Sequence, residues 1–275
     1  MPDVDRIALT VQIPPFVSRP LPYHLEQEMN LYNADFYKDR HQKTLYSART
    51  IVSIVREILP EIRSAVDVGC GVGTWLSVLK ENGATCIRGV DGGWVAREYL
   101  QIPDECFTEH DLSGRIHPDT TFDLAISLEV AEHLPSGSAR GFVESLTEFS
   151  DFVLFSAATP HQMGVGHINE QWPNYWISLF EERGFFPVDI IRKRIWNDES
   201  IPSWYRQNIL LFVKKERSAD VRYIPRLSDT VPPEVYLLTF GKLTSPSVKE
   251  ARRTWMEAVK RRIKRSFPSL ASRNS

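Results

Sequence analysis

"SAVDVGCGVGTWLSVL", Ser64 to Leu79, joins a short β-branched run carrying Asp67 to three alternating glycines, Gly69, Gly71 and Gly73, and then to an apolar pattern of helical period. A strand that turns into a helix through glycines lays bare backbone at the carboxyl edge of a parallel sheet, the crevice where open α/β sheets bind ligands. Glycine suits the turn because it accepts positive φ and has no Cβ to keep a ligand from the main chain. Upstream, Ala48, Ile51, Val52, Val55, Ile58 and Leu59 form one 3.6-period stripe that stops at Pro60. Downstream, strand-like and helix-like runs alternate: "TCIRGVD", "WVAREYLQ", "CFTEHD", "FDLAISL", "SGSARGFVESLTEFS", "DFVLFSAA" and "EQWPNYWISLFEERG". The alternation predicts a doubly wound, mostly parallel α/β sheet covered by helices on both faces. "FFPVDIIR" and "NILLFVKK" are expected to close it as an antiparallel pair, and "RIWNDESIPSWYRQ" between them reads as non-helical.

The chain of 275 residues divides into an arm and the start of a helical cap over 1–44, a core domain over 45–217 and an extension over 218–275. Prolines 2, 14, 15, 20 and 22 make the beginning an extended arm. The overall formal charge of −2 conceals an asymmetry, because nine basic residues stand against Glu250 and Glu257 between Lys249 and Ser275. That basic amphipathic tail is read as solvated or as a peripheral contact with an anionic surface. Cys70, Cys86 and Cys106 are odd in number and lack C-x-x-C spacing, so neither a disulfide framework nor a zinc site is indicated and a reducing cytoplasm fits. No apolar run approaches the roughly 18 residues of a membrane span.

Asp91, at the end of "GVD" and about 20 residues past the glycine loop, stands where a carboxylate accepts from both hydroxyls of a ribose. "EHDLSG" brings Asp111 to the same edge, and "FDLAISLEVAEHL" brings Glu129 and Glu132. Two ligand classes use such a ribose carboxylate: dinucleotides and S-adenosylmethionine. A pyrophosphate favours G-x-G-x-x-G with no acid beside it. The spacing here is G-x-G-x-G preceded by Asp67, which suits the cationic amino group of a methionine moiety and a sulfonium.

"VDVGCGVGTW", "VDG", "HDL" and "FDLAISLEVAEHL" resemble, in order, the motifs of class I S-adenosylmethionine-dependent methyltransferases, over residues 45 to 215. The resemblance implies a Rossmann-like sheet of seven strands with the last antiparallel. It also implies that Asp67, Gly69, Gly71 and Gly73 hold the methionine end, Asp91 the ribose, and Asp111 with the Leu112 backbone the adenine. Trp94 is placed on the adenine face or in packing, and Leu128 and Glu129 complete the cofactor set.

The fourth motif, "SLEVAEHLP", lacks the Asn/Asp-Pro-Pro-aromatic tetrad of enzymes that methylate a base, and no cysteine is placed to attack a pyrimidine, so nucleic acid is not the expected partner. With "GHINEQWPNYW" it resembles a bacterial group whose favoured acceptors are small-molecule and glycan hydroxyls. A sugar-like hydroxyl needs a base, and His167 and His133 are the candidates. Glu129, Glu132 and Glu170 offer the carboxylates with which some sugar methyltransferases hold a cation, but they are read as solvated or capping, and no metal site is assigned. Asn169 and Glu170 are expected to begin a helix whose Trp172, Tyr175 and Trp176 form an aromatic strip in the core. The rival functions are an NAD(P)-dependent Rossmann enzyme and a non-catalytic cofactor-binding subunit.

Overall fold

The computed structural model describes residues 34–221 apart from 163, with side chains from His41 onward except Lys43; the proline-rich arm and the basic tail lie outside the described residues. Its elements run α1 (Ala34–Ile58), β1 (Ser64–Val68), α2 (Thr74–Glu81), β2 (Cys86–Asp91), β3 (Phe107–Glu109), β4 (Leu124–Leu128), α3 (Ala139–Phe149) and β5 (Phe152–Ser156), then α4 (Pro173–Glu182), β6 (Phe185–Val188), α5 (Ile191–Ile195), α6 (Ser203–Asn208) and β7 (Leu210–Lys214). They build one seven-stranded sheet of order β3-β2-β1-β4-β5-β7-β6. β7 is antiparallel to both β5 and β6, and the other pairings are parallel. The expected doubly wound, Rossmann-like architecture is therefore present. α1 runs unbroken through the boundary drawn at 44/45.

Strand alternation sends side chains to two cores. Ala65 and Leu124 join the stripe of α1 and the buried Trp75, Leu76, Val78 and Leu79 of α2 on one face. Val66, Val68 and Ala125 meet Phe142, Leu146 and Phe149 of α3 and Trp176 and Phe180 of α4 on the other. Both faces of a parallel sheet must be covered in this way. Strand order turns back between β2 and β4, the neighbours of β1, which is the switch point at which a crevice opens.

Two local expectations are corrected. "RIWNDESIPSWYRQ" contributes to the helices α5 and α6. Arg192 and Arg206 in them are buried, which hides the helical period from a pattern that treats Arg as exposed. Arg192 pairs with both oxygens of Asp189, at 2.7 and 2.5 Å, and donates to the Gln207 carbonyl; Arg206 donates to the carbonyls of Ile201 and Trp196. "WVAREYLQ" yields only a 3₁₀ turn, Arg97–Tyr99. Its end is tied back to the glycine loop instead, where Gln101 N–H donates to the Val72 carbonyl at 2.7 Å. Among the described residues, no helix is long and apolar enough to cross a membrane.

Phe180 of α4 and Phe212 of β7 stack with ring centroids 3.8 Å apart and planes 12° from parallel, both fully buried. Phe212→Ala is expected to lower unfolding free energy by roughly 3–5 kcal/mol in urea titration, the range for emptying a large core site. A loss below about 1 kcal/mol, the size of an average substitution, would contradict this packing.

Candidate active site

The glycine loop leaves β1 with φ of 88° at Gly69, 52° at Gly71 and 81° at Gly73. The three serve different ends. A Cβ on Gly69 would lie 2.3 Å from the Val130 side chain and one on Gly73 2.9 Å from Ile102, whereas one on Gly71 would meet nothing within 4 Å. Gly69 and Gly73 let side chains of neighbouring segments close onto the loop; Gly71 faces open space. Asp91 clamps the turn: Gly71 N–H donates to its Oδ2 and Gly92 N–H to its Oδ1, each at 2.7 Å.

Asp67, one residue before the end of β1, is buried, and its Oδ2 has no hydrogen-bond partner. Burial, reinforced by the negative charge of Asp91, pushes its carboxyl well above its ordinary value of 3.8. Asp111 is exposed and accepts from the Ser113 hydroxyl at 2.7 Å and the Ser113 N–H at 2.9 Å, bonds that hold its carboxyl below the usual range. Leu112 and Leu128 are buried, while Trp94 is 61% exposed with its ring over Gly92. From the opposite side, His41 of α1 reaches Thr74 at the start of α2, Nδ1 to Oγ1, at 3.0 Å.

The second half of the site follows β4. Glu129 has φ of 55°, a left-handed conformation that costs about 1–3 kcal/mol outside glycine. It is held there by its N–H, which donates to the Ser156 carbonyl at 3.0 Å, and by donors to its carboxylate, Gln162 Nε2 at 2.7 Å and Asn208 Nδ2 at 3.2 Å. Burial raises the Glu129 carboxyl against the pull of these bonds. The 3₁₀ turn Ala131–His133 then carries Glu132, 0% exposed, with no hydrogen-bond partner on either carboxylate oxygen. Burial, with the nearby Glu129 charge, pushes this carboxyl up to about 8.

The loop after β5 closes onto that turn. Ile168 and Asn169 N–H groups donate to the Glu132 carbonyl at 2.9 and 3.0 Å. This brings His167 beside His133, ring centroids 4.9 Å apart and edge-to-face at 86°. His167 Nδ1 lies 2.9 Å from Glu170 Oε1, and its Nε2 faces Glu132 Oε1 at 4.0 Å. An ionised carboxylate only accepts, so against Glu170 the bonded Nδ1 carries a hydrogen. Glu170 is fixed in turn by the His161 N–H at 2.9 Å.

The two histidines expected at the sheet edge are thus in contact. Glu132 is corrected from a solvated or capping glutamate to a buried one. Asn169 and Glu170 do not begin a helix: α4 starts at Pro173, whose missing N–H and fixed φ suit the first helical position. The aromatic strip divides, Trp176 entering the core and Trp172 remaining 55% exposed. Gln162 and Asn208, which grip Glu129, went unnoticed; they lie 33 and 79 residues from it, and no local pattern marks them.

The profile of a family described as a methyltransferase domain matches residues 38–189. Among solved structures, the chain is similar to DesVI of Streptomyces venezuelae, at 16% identity over 68% of this chain and 98% of that one, with a TM-score of 0.50. It is also similar to magnesium protoporphyrin IX methyltransferase of Synechocystis PCC 6803, solved with bound SAM, at 18% identity over 70% and 91% with a TM-score of 0.47. An O-methyltransferase family protein from Burkholderia thailandensis matches at 12% identity over 69% of this chain, with a TM-score of 0.49, and the chain spans 62% of that protein's length. At these identities the structural likeness speaks for the fold alone. No curated protein sequence matches the chain.

Because the Asp67 carboxyl is raised above 3.8 by burial, it opposes folding by an amount that is nil below that pH and grows as pH rises toward the folded-state value. Asp67→Asn is therefore expected to stabilise the ligand-free chain at pH 7 by roughly 1–3 kcal/mol, the cost of a buried unsatisfied group, with the gain vanishing in acid. Thermal unfolding of both proteins between pH 4 and 8 checks this; a destabilised variant at pH 7 would show that Asp67 is compensated within the protein.

Proposed function

The chain belongs to the methyltransferase-domain family, and from that premise we propose that it transfers a methyl group from S-adenosylmethionine to a hydroxyl oxygen of a sugar, glycan or other small metabolite. Family membership sets aside the nicotinamide alternative. The residues present suit the cofactor: the unpartnered Oδ2 of the buried Asp67 and open backbone at Gly71 offer an acceptor and room for a cationic methionine end. Within the 45–217 domain, Asp91 is assigned to the ribose, since it ends β2 at the carboxyl edge of the sheet against the glycine loop, accepting from Gly71 N–H. Asp111 and Leu112, with Trp94, Leu128 and Glu129, are assigned to the adenine side. When bound, S-adenosylmethionine supplies a methyl group activated by its sulfonium.

The observation that carries the hydroxyl reading is the Glu170–His167–Glu132 line. A sugar-like hydroxyl is a poor nucleophile until its proton departs, and His167, with Nδ1 fixed by Glu170, turns Nε2 toward the buried end of the site as the nitrogen that would take it. His133 lies against it and Val130 links this turn to Gly69, so the acceptor-activating groups and the glycine loop share one edge of the sheet. An amine acceptor that is unprotonated at neutral pH would have no use for this arrangement.

Asp91→Ala is expected to weaken S-adenosylhomocysteine binding by about 1.5–3 kcal/mol for each hydrogen bond lost to a charged acceptor. Gly71→Val should abolish binding because the branched side chain enters the open space at the loop. Titration calorimetry on folded variants decides; unchanged affinity in both would remove the cofactor assignment.

His167→Ala is expected to reduce methyl transfer from labelled cofactor at least about 10²-fold while leaving S-adenosylhomocysteine affinity unchanged. The assay uses a panel of free monosaccharides, glycosides and phenols. Transfer to none of them by the wild-type chain, or equal transfer by the variant, would contradict the hydroxyl reading; binding without turnover on any acceptor would favour a regulatory subunit.

A further inference from the structure

We propose that Glu132, His133 and His167 form a site for one divalent first-row transition-metal cation, with Glu170 positioning His167 for it. One ligand atom from each of the three side chains lies within 4.8 Å of those from the other two. Glu132 Oε1 and His167 Nε2 are 4.0 Å apart, beyond hydrogen-bond reach but close to the span of two metal–ligand bonds of about 2.0–2.2 Å each.

Three further features point to a cation. Glu132 is 0% exposed and both its oxygens lack a partner, although a buried carboxylate is costly unless paired or coordinating metal. His167 Nδ1 lies 2.9 Å from Glu170, the contact that metal-bound histidines usually make through their second nitrogen, and this turns Nε2 toward Glu132 Oε1. The backbone is arranged to hold the set: the Glu132 carbonyl receives two N–H groups from the loop bearing His167. Gly166, at φ of 74°, brings the same loop against His133 Nδ1, 3.5 Å from where its Cβ would stand.

Two imidazoles with one carboxylate suit zinc, cobalt, iron or manganese, whereas calcium and magnesium take mostly oxygen ligands. Three protein ligands leave coordination positions open, as metal sites that receive an exogenous ligand do. Resting on the hydroxyl-acceptor reading, those positions are where an acceptor oxygen is held and polarised; with the cation bound, Nε2 is a ligand and polarisation by the cation takes over from the imidazole the lowering of the hydroxyl's pKa. The binding site itself stands without that reading.

The test is cobalt(II) titration of the full, tag-free chain after chelator treatment, followed by its visible absorption and by calorimetry. The expected result is one cobalt ion per chain, displaced by zinc. Glu132→Gln and His133→Ala should abolish binding, and Glu170→Gln should weaken it about 10–100-fold, the usual effect of losing a ligand's orienting partner. His117→Ala, with its exposed side chain on another surface, should bind like the wild type. Circular dichroism verifies folding; should a Glu132 variant not fold, the partly exposed Glu170 carries the comparison. A wild-type chain that binds no cobalt, or folded Glu170→Gln and His133→Ala variants that bind it as the wild type does, would overturn the site. S-adenosylhomocysteine binding measured on the stripped protein reports on the cofactor reading separately, so the two ideas fail independently.

Discussion

Carboxyl groups buried with unpartnered oxygens at the carboxyl edge of the sheet are the constraint on which the site depends. Asp67 and Glu132 lie in adjoining segments, one on β1 and the other just beyond β4, and each keeps at least one buried carboxylate oxygen without a partner. Isolated charges in such surroundings cost several kcal/mol and are ordinarily paired or neutralised. A fold that invests in two of them at its switch point has set aside part of its stability for ligands that are positive where these oxygens point. In the function and site proposed above, a cationic methionine end would meet that requirement at Asp67, and a cation shared by two imidazoles would meet it at Glu132.

The same logic separates residues that shape the site from those that contact a ligand. Asp91 fixes the glycine loop through two backbone hydrogen bonds before any ribose arrives, so its role is structural first and recognition second. Of the three loop glycines, only Gly71 lacks a protein neighbour at its missing Cβ, and the other two are required by Val130 and Ile102. Glu129, held in a left-handed conformation by Gln162 and Asn208, turns the chain so that Glu132 points inward. Strain of this kind is characteristic of functional turns.

The sheet and the glycine loop were legible because their signals are local: strand runs, glycine spacing, and acidic residues at strand ends. The helices α5 and α6 were not, because Arg192 and Arg206 are buried by partners that sequence periodicity does not reveal. The meeting of His133 with His167 could be inferred only as far as a common sheet edge. Their 4.9 Å approach depends on the Glu132 carbonyl capturing the Ile168 and Asn169 N–H groups, a pairing with no local signature. Glu132 misled for the opposite reason. A glutamate four residues beyond the end of a strand is usually solvated, and nothing in its neighbours announces full burial.

The central claim, that burial raises the Asp67 carboxyl in the free chain and a cationic ligand draws it back down, has a direct test in proton linkage. Calorimetric titration with S-adenosylhomocysteine near neutral pH, in buffers of differing ionisation enthalpy, counts the protons exchanged on binding. The account predicts proton release on binding by the wild-type chain, lost in Asp67→Asn, because the ammonium draws the raised carboxyl back toward its ordinary value. Binding with no proton release, or the same release by Asp67→Asn, would contradict it.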